Sequence, residues 1–109
     1  MPRPEPLRGE VWDVDFDEFG LHPAVVLSVN ALNCRLGHVA LIPVIGTSGP
    51  AHTHVPLTAD VGLTRYDESY ADVTSLQPVA RERLLRRRGL LSSSELHRVA
   101  LQLSVYLGW

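Results

Sequence analysis

Two residues in the first half of the chain have side chains suited to phosphate chemistry. His22 precedes a proline at the start of an apolar run. An imidazole there can act as base or acid near neutral pH, and when protonated it can face a phosphate. Thr47 lies in a loop of glycine, serine and proline, and its hydroxyl can donate to a phosphate if the loop turns inward. The plainer interpretation leaves His22 as a loop histidine at a strand start and Thr47 as a turn residue.

A second pair of histidines follows that loop. His52 and His54 lie two positions apart, a spacing that directs both side chains to one face of a β-strand. The same spacing can hold zinc, with His22 or His38 as a further ligand. No acidic ligand lies nearby in sequence, so we prefer a solvated strand face and predict no metal site.

Charge is distributed unevenly along the chain. The net charge of −2 excludes a globally basic nucleic-acid-binding protein, but acidic residues dominate the first twenty positions. Arginines are concentrated between residues 81 and 98, at Arg81, Arg83, Arg86, Arg87, Arg88 and Arg98. The five arginines between residues 81 and 88 form an arginine cluster that suits RNA phosphates or carboxylate groups. The alternative is a solvated charged surface.

The length and the cysteine content limit the class of protein. The 109 residues match one ordinary domain, and we predict a flexible Pro-rich leader over residues 1–7 followed by a single domain over residues 8–109. Cys34 is the single cysteine and cannot form an internal disulfide, which favours a cytoplasmic protein. We expect no signal peptide and no membrane segment, because no apolar run is long enough.

Short apolar runs separated by loops indicate a β-rich fold. Strands are predicted over residues 11–16, 23–29, 38–45, 52–57 and 69–76, the first with acidic residues on an outer face. Pro43 is expected to force a bulge or an edge. Residues 30–37 and 78–83 are predicted to contain short helical turns, residues 59–68 form an irregular connection, and residues 84–91 are strand or helix.

The C-terminal helix is the clearest predicted element. Ser92 and Glu95 fit a capping box, and Gly108 suits the C-terminal stop. The helix then directs five apolar side chains to one face, those of Leu96, Val99, Ala100, Leu103 and Leu107. Many short strands with this helix predict a small α+β protein, a β-barrel with a flanking C-terminal helix.

Six segments resemble the MazF/PemK family of bacterial toxins, which shares its barrel fold with CcdB. The segments occur in the family's order over residues 8–108. They are Arg-Gly-Glu-Val-Trp at 8–12, His-Pro-Ala-Val-Val-Leu-Ser at 22–28, Ile-Pro-Val-Ile-Gly-Thr at 42–47, Thr-His-Val-Pro-Leu at 53–57, Gly-Leu at 62–63, and the ending from Leu90 to Gly108.

The resemblance implies the toxin of a type II toxin–antitoxin system. Such a protein is a homodimer that cuts single-stranded RNA without a metal or cofactor and binds an acidic antitoxin. The 2′-hydroxyl attacks the neighbouring phosphate and leaves a cyclic phosphate. The family uses an arginine before the proline of the second strand, where this chain has His22, and a threonine where it has Ile45. Thr74 stands where some members carry an acidic residue.

From the resemblance we predict His22 and Thr47 as catalytic residues. His52, His54 and Thr74 are the predicted RNA-binding residues. Because Ile45 cannot perform acid–base chemistry and is expected to pack in the core, two alternatives stay open. One is a catalytically degenerate member that binds an antitoxin or, like CcdB, a target protein, and the other is a non-toxic relic of the family.

Overall fold

The computed structural model describes residues 5–58 and 68–109, which contain seven strands and two helices. The strands are β1 (Glu10–Asp15), β2 (Leu21–Val26), β3 (His38–Ile45), β4 (His54–Leu57), β5 (Ser69–Asp72), β6 (Gln77–Ala80) and β7 (Leu84–Leu90). The helices are α1 (Asn30–Asn33) and α2 (Ser93–Leu107), and 3-10 turns occupy Asp17–Phe19, Val73–Ser75 and Arg81–Arg83. The predicted irregular connection falls almost wholly on residues 59–67, outside the described residues.

All strand pairs are antiparallel, and β3 is central to the sheet. The strands follow the order β4-β5-β3-β2-β1-β7, and β6 is a further partner of β3. One edge of β3 pairs with β2, whereas the other edge pairs first with β6 and then, from Val44, with β5. Pro43 lies at this change of partner, where its missing N–H interrupts neither pairing on that edge.

The predicted fold class is confirmed, but the sheet is not closed into a barrel. The path of strands ends at β4 and β7, and among the described residues these two strands do not pair with each other. The sheet is therefore an open, antiparallel one with a C-terminal helix. None of the helices in the described part of the chain is both long and apolar enough to span a membrane.

Two core clusters lie on the two faces of this sheet. The first contains Val11, Val25 and Ile42 and is completed by Val99 of α2. The second contains Trp12, Val14 and Leu41, with Phe16 packed against it. Strand residues alternate between the clusters because successive side chains point to opposite faces. The sheet is thus buried on both sides at its centre.

The prediction of an acidic outer face on β1 is wrong for Asp13. Its carboxylate is buried and lies 3.2 Å from Nη1 of Arg88 on β7. Three further acidic residues pair with arginines from the C-terminal part of the chain, in the pairs Glu5–Arg81, Glu10–Arg87 and Asp17–Arg83. Two of the four pairs, Glu10–Arg87 and Asp13–Arg88, join β1 to β7, so the pairing of these strands partly neutralises the uneven charge of the sequence.

Other differences from the predicted elements have local causes. The strand predicted over residues 69–76 stops at Asp72, whose side chain accepts the N–H of Thr74 and begins a 3-10 turn. Residues 77–80 form β6 rather than a helical turn, since they pair with β3. Residues 84–90 are a strand because they pair with β1.

The caps of α2 are confirmed. Oγ of Ser92 accepts the N–H of Glu95 at 3.1 Å, and Oε1 of Glu95 accepts the N–H of Ser92 at 3.0 Å. Gly108 ends the helix in the left-handed region at φ 77°. Leu107 is exposed, so the buried face of α2 ends one turn earlier than predicted.

Candidate functional site

An apolar cleft of about 210 Å³ opens at the end of the second core cluster. Its lining comes from the β1–β2 connection, the ends of β2 and β3, and the start of β6: Phe16, Phe19, His22, Pro43, Val44, Ile45 and Gln77. Of these side chains, His22 and Gln77 can make hydrogen bonds. The volume is below that of typical drug-sized pockets, so the cleft suits a single planar ring.

His22 lies on β2 opposite Val14, so it is a strand residue and not a loop histidine. Its Nε2 is 2.6 Å from the carbonyl oxygen of Phe19. A carbonyl oxygen only accepts, so Nε2 must carry a proton, and Nδ1 is the nitrogen able to take up another. His22 is therefore oriented for acid–base chemistry.

The β1–β2 connection places the Phe19 carbonyl against His22. Gly20 adopts φ 76° and ψ −157°, a conformation that is open essentially only to glycine. The carbonyl of Gly20 accepts the N–H of Phe16 at 2.9 Å, which closes the turn. The ring of Phe16 lies 6.3 Å from the ring of His22, tilted by 51°. Gly20 is thus the residue that permits this tight connection.

Ile45 departs from the expectation that it packs in the core. It ends β3, is half-buried and belongs to neither core cluster. Its side chain lines the cleft together with His22. Ile45, which occupies the position of the family's threonine, therefore lies at the candidate site, as the resemblance implies. Its side chain makes this part of the cleft apolar.

A second group of polar side chains joins β4 to β5. His54 lies opposite Asp72, and Nδ1 of His54 is 2.7 Å from Oγ1 of Thr53. The Asp72 carboxylate accepts hydrogen bonds from the N–H and hydroxyl of Thr74 and from the hydroxyl of Ser75. Burial alone would raise the pKa of Asp72, but these bonds and the nearby His54 hold it below its ordinary value. Asp72 therefore stays ionised beside the imidazole.

Asp72 is the functional candidate that sequence reasoning missed. The acidic position of some family members was matched to Thr74, two residues after Asp72. The available signal was the Asp-Val-Thr-Ser sequence, because an aspartate whose side chain accepts a backbone N–H two residues on begins a turn. Thr74 itself lies in that turn and donates its hydroxyl to Asp72.

The cleft and the Asp72–His54 pair lie on the same face of the sheet. Ile45 is opposite Tyr70, and residues directly opposite each other share a face. Asp72 is two residues from Tyr70 and so shares it too, as does His54. His54 lies two strand spacings across the sheet from Ile45 and two residues along it, a distance of about 12 Å. One extended ligand can therefore contact both groups.

Thr47 and His52 lie outside these two groups. Thr47 is exposed in the bend after β3 and is not part of the cleft's lining. His52 is exposed in the turn before β4, so the expectation that it shares a strand face with His54 is wrong. Among the residues that the structure describes, no three potential metal ligands cluster together.

The arginine cluster is largely engaged within the molecule. Arg81, Arg83, Arg87 and Arg88 each form an ion pair with an acidic residue from the N-terminal part of the chain. Arg86 is exposed and forms no ion pair with any residue in 5–58 or 68–109. A phosphate or an acidic peptide can therefore contact the exposed guanidinium of Arg86 directly. The guanidinium charges of the other four arginines of the cluster are already partly neutralised by their ion pairs.

Comparisons with known proteins agree on one family. The model of the PemK-like, MazF-like toxin of type II toxin-antitoxin systems matches residues 7–107. Endoribonuclease MazF9 of Mycobacterium tuberculosis (strain ATCC 25618 / H37Rv) is 30% identical over 111 residues, which cover 92% of this chain and 94% of the relative.

Solved structures with the same fold include a mycobacterial protein and one from Deinococcus radiodurans. A mycobacterial endoribonuclease in complex with its cognate antitoxin superposes with a TM-score of 0.85 at 23% identity, covering 94% of this chain and 95% of that one. MazF from Deinococcus radiodurans has a TM-score of 0.85 at 22% identity, covering 98% of this chain and 100% of its own. At these identities the superpositions establish the fold.

Proposed function

The chain belongs to the PemK-like, MazF-like toxin family of type II toxin–antitoxin systems, and we propose that it is an endoribonuclease that cuts single-stranded RNA without a metal ion. The observation that carries the proposal is the orientation of His22. Its Nε2–H is held by the Phe19 carbonyl at the edge of a ring-sized cleft, so Nδ1 can accept a proton. The relative named Endoribonuclease MazF9 supports the same reaction.

In the proposed reaction His22 first accepts a proton and later returns it. Nδ1 of His22 takes the proton of a ribose 2′-hydroxyl, and the oxygen forms a bond to the adjacent phosphorus. The bond from phosphorus to the 5′-oxygen of the next nucleotide breaks, and the imidazolium returns the proton to that oxygen. The products are a 2′,3′-cyclic phosphate and a 5′-hydroxyl. No metal is needed to balance these steps.

The remaining predicted residues would bind the RNA. Thr47 is exposed just after the cleft. Its hydroxyl would donate a hydrogen bond to a phosphate oxygen and stabilise the negative charge that develops there. His54, which lies opposite Asp72, would stack on a base or face a phosphate. His52 and Thr74 border this second group on exposed turns. These roles complete the proposed RNA path across the face shared by the cleft and Asp72.

The nuclease proposal is tested with purified protein and single-stranded RNA in the presence of EDTA. We expect discrete cuts, with 2′,3′-cyclic phosphate on one fragment and a 5′-hydroxyl on the other. Both ends are identified by selective ligation and mass spectrometry. RNA that stays intact after long incubation with excess protein would contradict the proposal.

The proposal includes two protein partners and a cellular site. We propose that the chain forms a homodimer and is inhibited by an acidic antitoxin. A mycobacterial endoribonuclease solved in complex with its cognate antitoxin supports the choice of an antitoxin as partner. We place it in the cytoplasm, where its RNA substrate is found. Exposed Arg86 is available to an acidic tail. Addition of the protein encoded by the adjacent reading frame should suppress RNA cleavage.

A second candidate function is a binding module without nuclease activity. Ile45 favours it, because an apolar side chain lines the cleft where the family has a hydroxyl. In that case the protein would act by binding its antitoxin or a target protein. Growth arrest on expression with intact cellular RNA would support this function over cleavage.

A further inference from the structure

Gln77 lies where three surface clefts meet. It begins β6, opposite Leu41 of β3, and its side chain is half-buried. It lines the cleft that holds His22, a second cleft of about 300 Å³ beside α1, and a third of about 240 Å³ beside Asp15 and Arg83. A ligand that leaves the His22 cleft toward β6 must therefore pass this side chain.

The orientation of the Gln77 amide follows from one hydrogen bond. Its Nε2 donates to the carbonyl oxygen of Ser75 at 3.1 Å. Because that carbonyl can only accept, the amide nitrogen faces Ser75 and Oε1 points away from it. The side chain makes no other hydrogen bond within residues 5–58 and 68–109. One N–H donor and the Oε1 acceptor therefore stay available to a ligand.

The rest of the His22 cleft is suited to the faces of a planar ring. Phe16 and Phe19 supply aromatic surfaces, and Pro43, Val44 and Ile45 supply aliphatic ones. Single-stranded RNA is recognised by stacking of its bases on aromatic rings and by hydrogen bonds to the base edges. Among the described lining side chains, Gln77 is the one that offers a ligand both a donor and an acceptor, because the N–H of His22 is engaged by the Phe19 carbonyl.

We propose that Gln77 determines sequence specificity by reading the edge of one RNA base bound in the His22 cleft. This inference rests on the proposed nuclease function. The base lies against Phe16 or Phe19, and its edge donates to Oε1 of Gln77 and accepts from the remaining N–H. Every RNA base carries a donor next to an acceptor on its Watson–Crick edge, and a base that presents them in the reverse order leaves the half-buried amide unpaired, which disfavours its cleavage.

The first test replaces the amide by an apolar group of similar size. We expect Gln77→Leu to cut RNA but to lose about tenfold or more of its discrimination at one nucleotide position. The measurement is deep sequencing of fragment ends from a randomised single-stranded RNA. Gln102→Leu is the matched control, because Gln102 is also half-buried but lies on α2, which packs on the opposite face.

The second test keeps the shape but replaces the donor by an acceptor. A glutamate presents two acceptors, which suit two adjacent donors such as N1–H and N2–H of guanine. We therefore expect Gln77→Glu to raise the relative cleavage of guanine at the same nucleotide position. A purely structural role would instead slow cleavage of all sequences alike and leave the preference unchanged.

Two outcomes separate this inference from the nuclease proposal. If both variants show wild-type thermal unfolding and cut the same sequences with the wild-type preference, the role of Gln77 is overturned while the nuclease stands. If the wild-type protein cuts no RNA, the nuclease proposal fails, and the specificity role fails with it.

Discussion

His22 is the residue on which the proposed chemistry depends. Its identity alone allows either proton transfer or a structural role, and proton transfer requires a ring nitrogen whose lone pair is open to the substrate. The Phe19 carbonyl assigns that proton to Nε2. Nδ1 is therefore the ring nitrogen that keeps a lone pair for the substrate.

Removal of the imidazole should abolish most cleavage. General acid–base catalysis contributes about 10²–10⁴-fold, so we expect His22→Ala to lower the cleavage rate by at least about 100-fold. Initial rates on a fluorogenic single-stranded RNA measure the effect. His97→Ala is the control, since His97 is exposed on α2. Near-wild-type cleavage by His22→Ala would exclude the assigned role.

At the scale of elements, helix α2 is tied to the sheet through Glu95. Its carboxylate receives the N–H of Ser92 in the capping box and the N–H of Thr58, which follows β4, at 2.8 Å. Burial alone would raise the pKa of Glu95, but these bonds and the hydroxyls of Ser92 and Thr58 hold it below its ordinary value of 4.5. The ionised form is therefore the stabilising one.

This lowered pKa predicts a pH-dependent contribution to stability. The contribution is fully present above pH 4.5 and is lost as the pH falls through the lower folded pKa. We expect Glu95→Gln to lower the free energy of unfolding at pH 7 by about 1–3 kcal/mol. Variant and wild type should converge in strong acid.

Urea unfolding across a pH series measures this difference. Glu18→Gln is the control, because Glu18 is exposed and lies outside the helix cap. A constant difference between Glu95→Gln and wild type at every pH would contradict the argument.

At the scale of the whole molecule, the acidic beginning and the basic end of the chain pair with each other. The antiparallel pairing of β1 with β7 brings Asp13 beside Arg88 and Glu10 beside Arg87. The arginines that could bind RNA phosphates are therefore partly engaged in ion pairs between the two ends of the chain. This leaves Arg86 as the cationic side chain of β7 most open to a partner.

The Asp13–Arg88 pair should matter more than the exposed pairs. Asp13→Asn leaves the half-buried Arg88 guanidinium without its carboxylate, so we expect a loss of about 1–3 kcal/mol in unfolding free energy. The Asp17–Arg83 pair is exposed and screened by solvent, so we expect the comparison variant Asp17→Asn to change the unfolding free energy little. Guanidine is avoided as an ionic denaturant, and urea unfolding is used instead. Equal effects of the two substitutions would refute this ranking.

Elements governed by local interactions were predicted from the sequence. The caps of α2 depend on residues three or four positions apart, so Ser92, Glu95 and Gly108 marked its ends correctly. The apolar run of β3 was predicted with its bounds unchanged, because alternation and burial leave few other structures for eight such residues. The order of the six segments also identified the family, which the comparisons confirm. The predicted leader and single domain stay predictions.

Contacts between distant segments were decided by the tertiary structure alone. Burial of Asp13 depends on Arg88, seventy-five residues away, so alternation within β1 could not reveal it. The pairing of Asp72 with His54 likewise depends on the register of β5 against β4. Strand register is set by which faces the whole sheet buries, and no short sequence window contains that information.

The candidate site shows the same division. The sequence shows the residue types at positions 22 and 45, and these residue types define the chemistry to be tested. Only the folded chain placed Ile45 in the cleft, oriented His22 through Phe19 and brought Gln77 from β6 to the same opening. A single side chain determines which chemistry is possible. A functional site forms only where strands that are distant in sequence end close together.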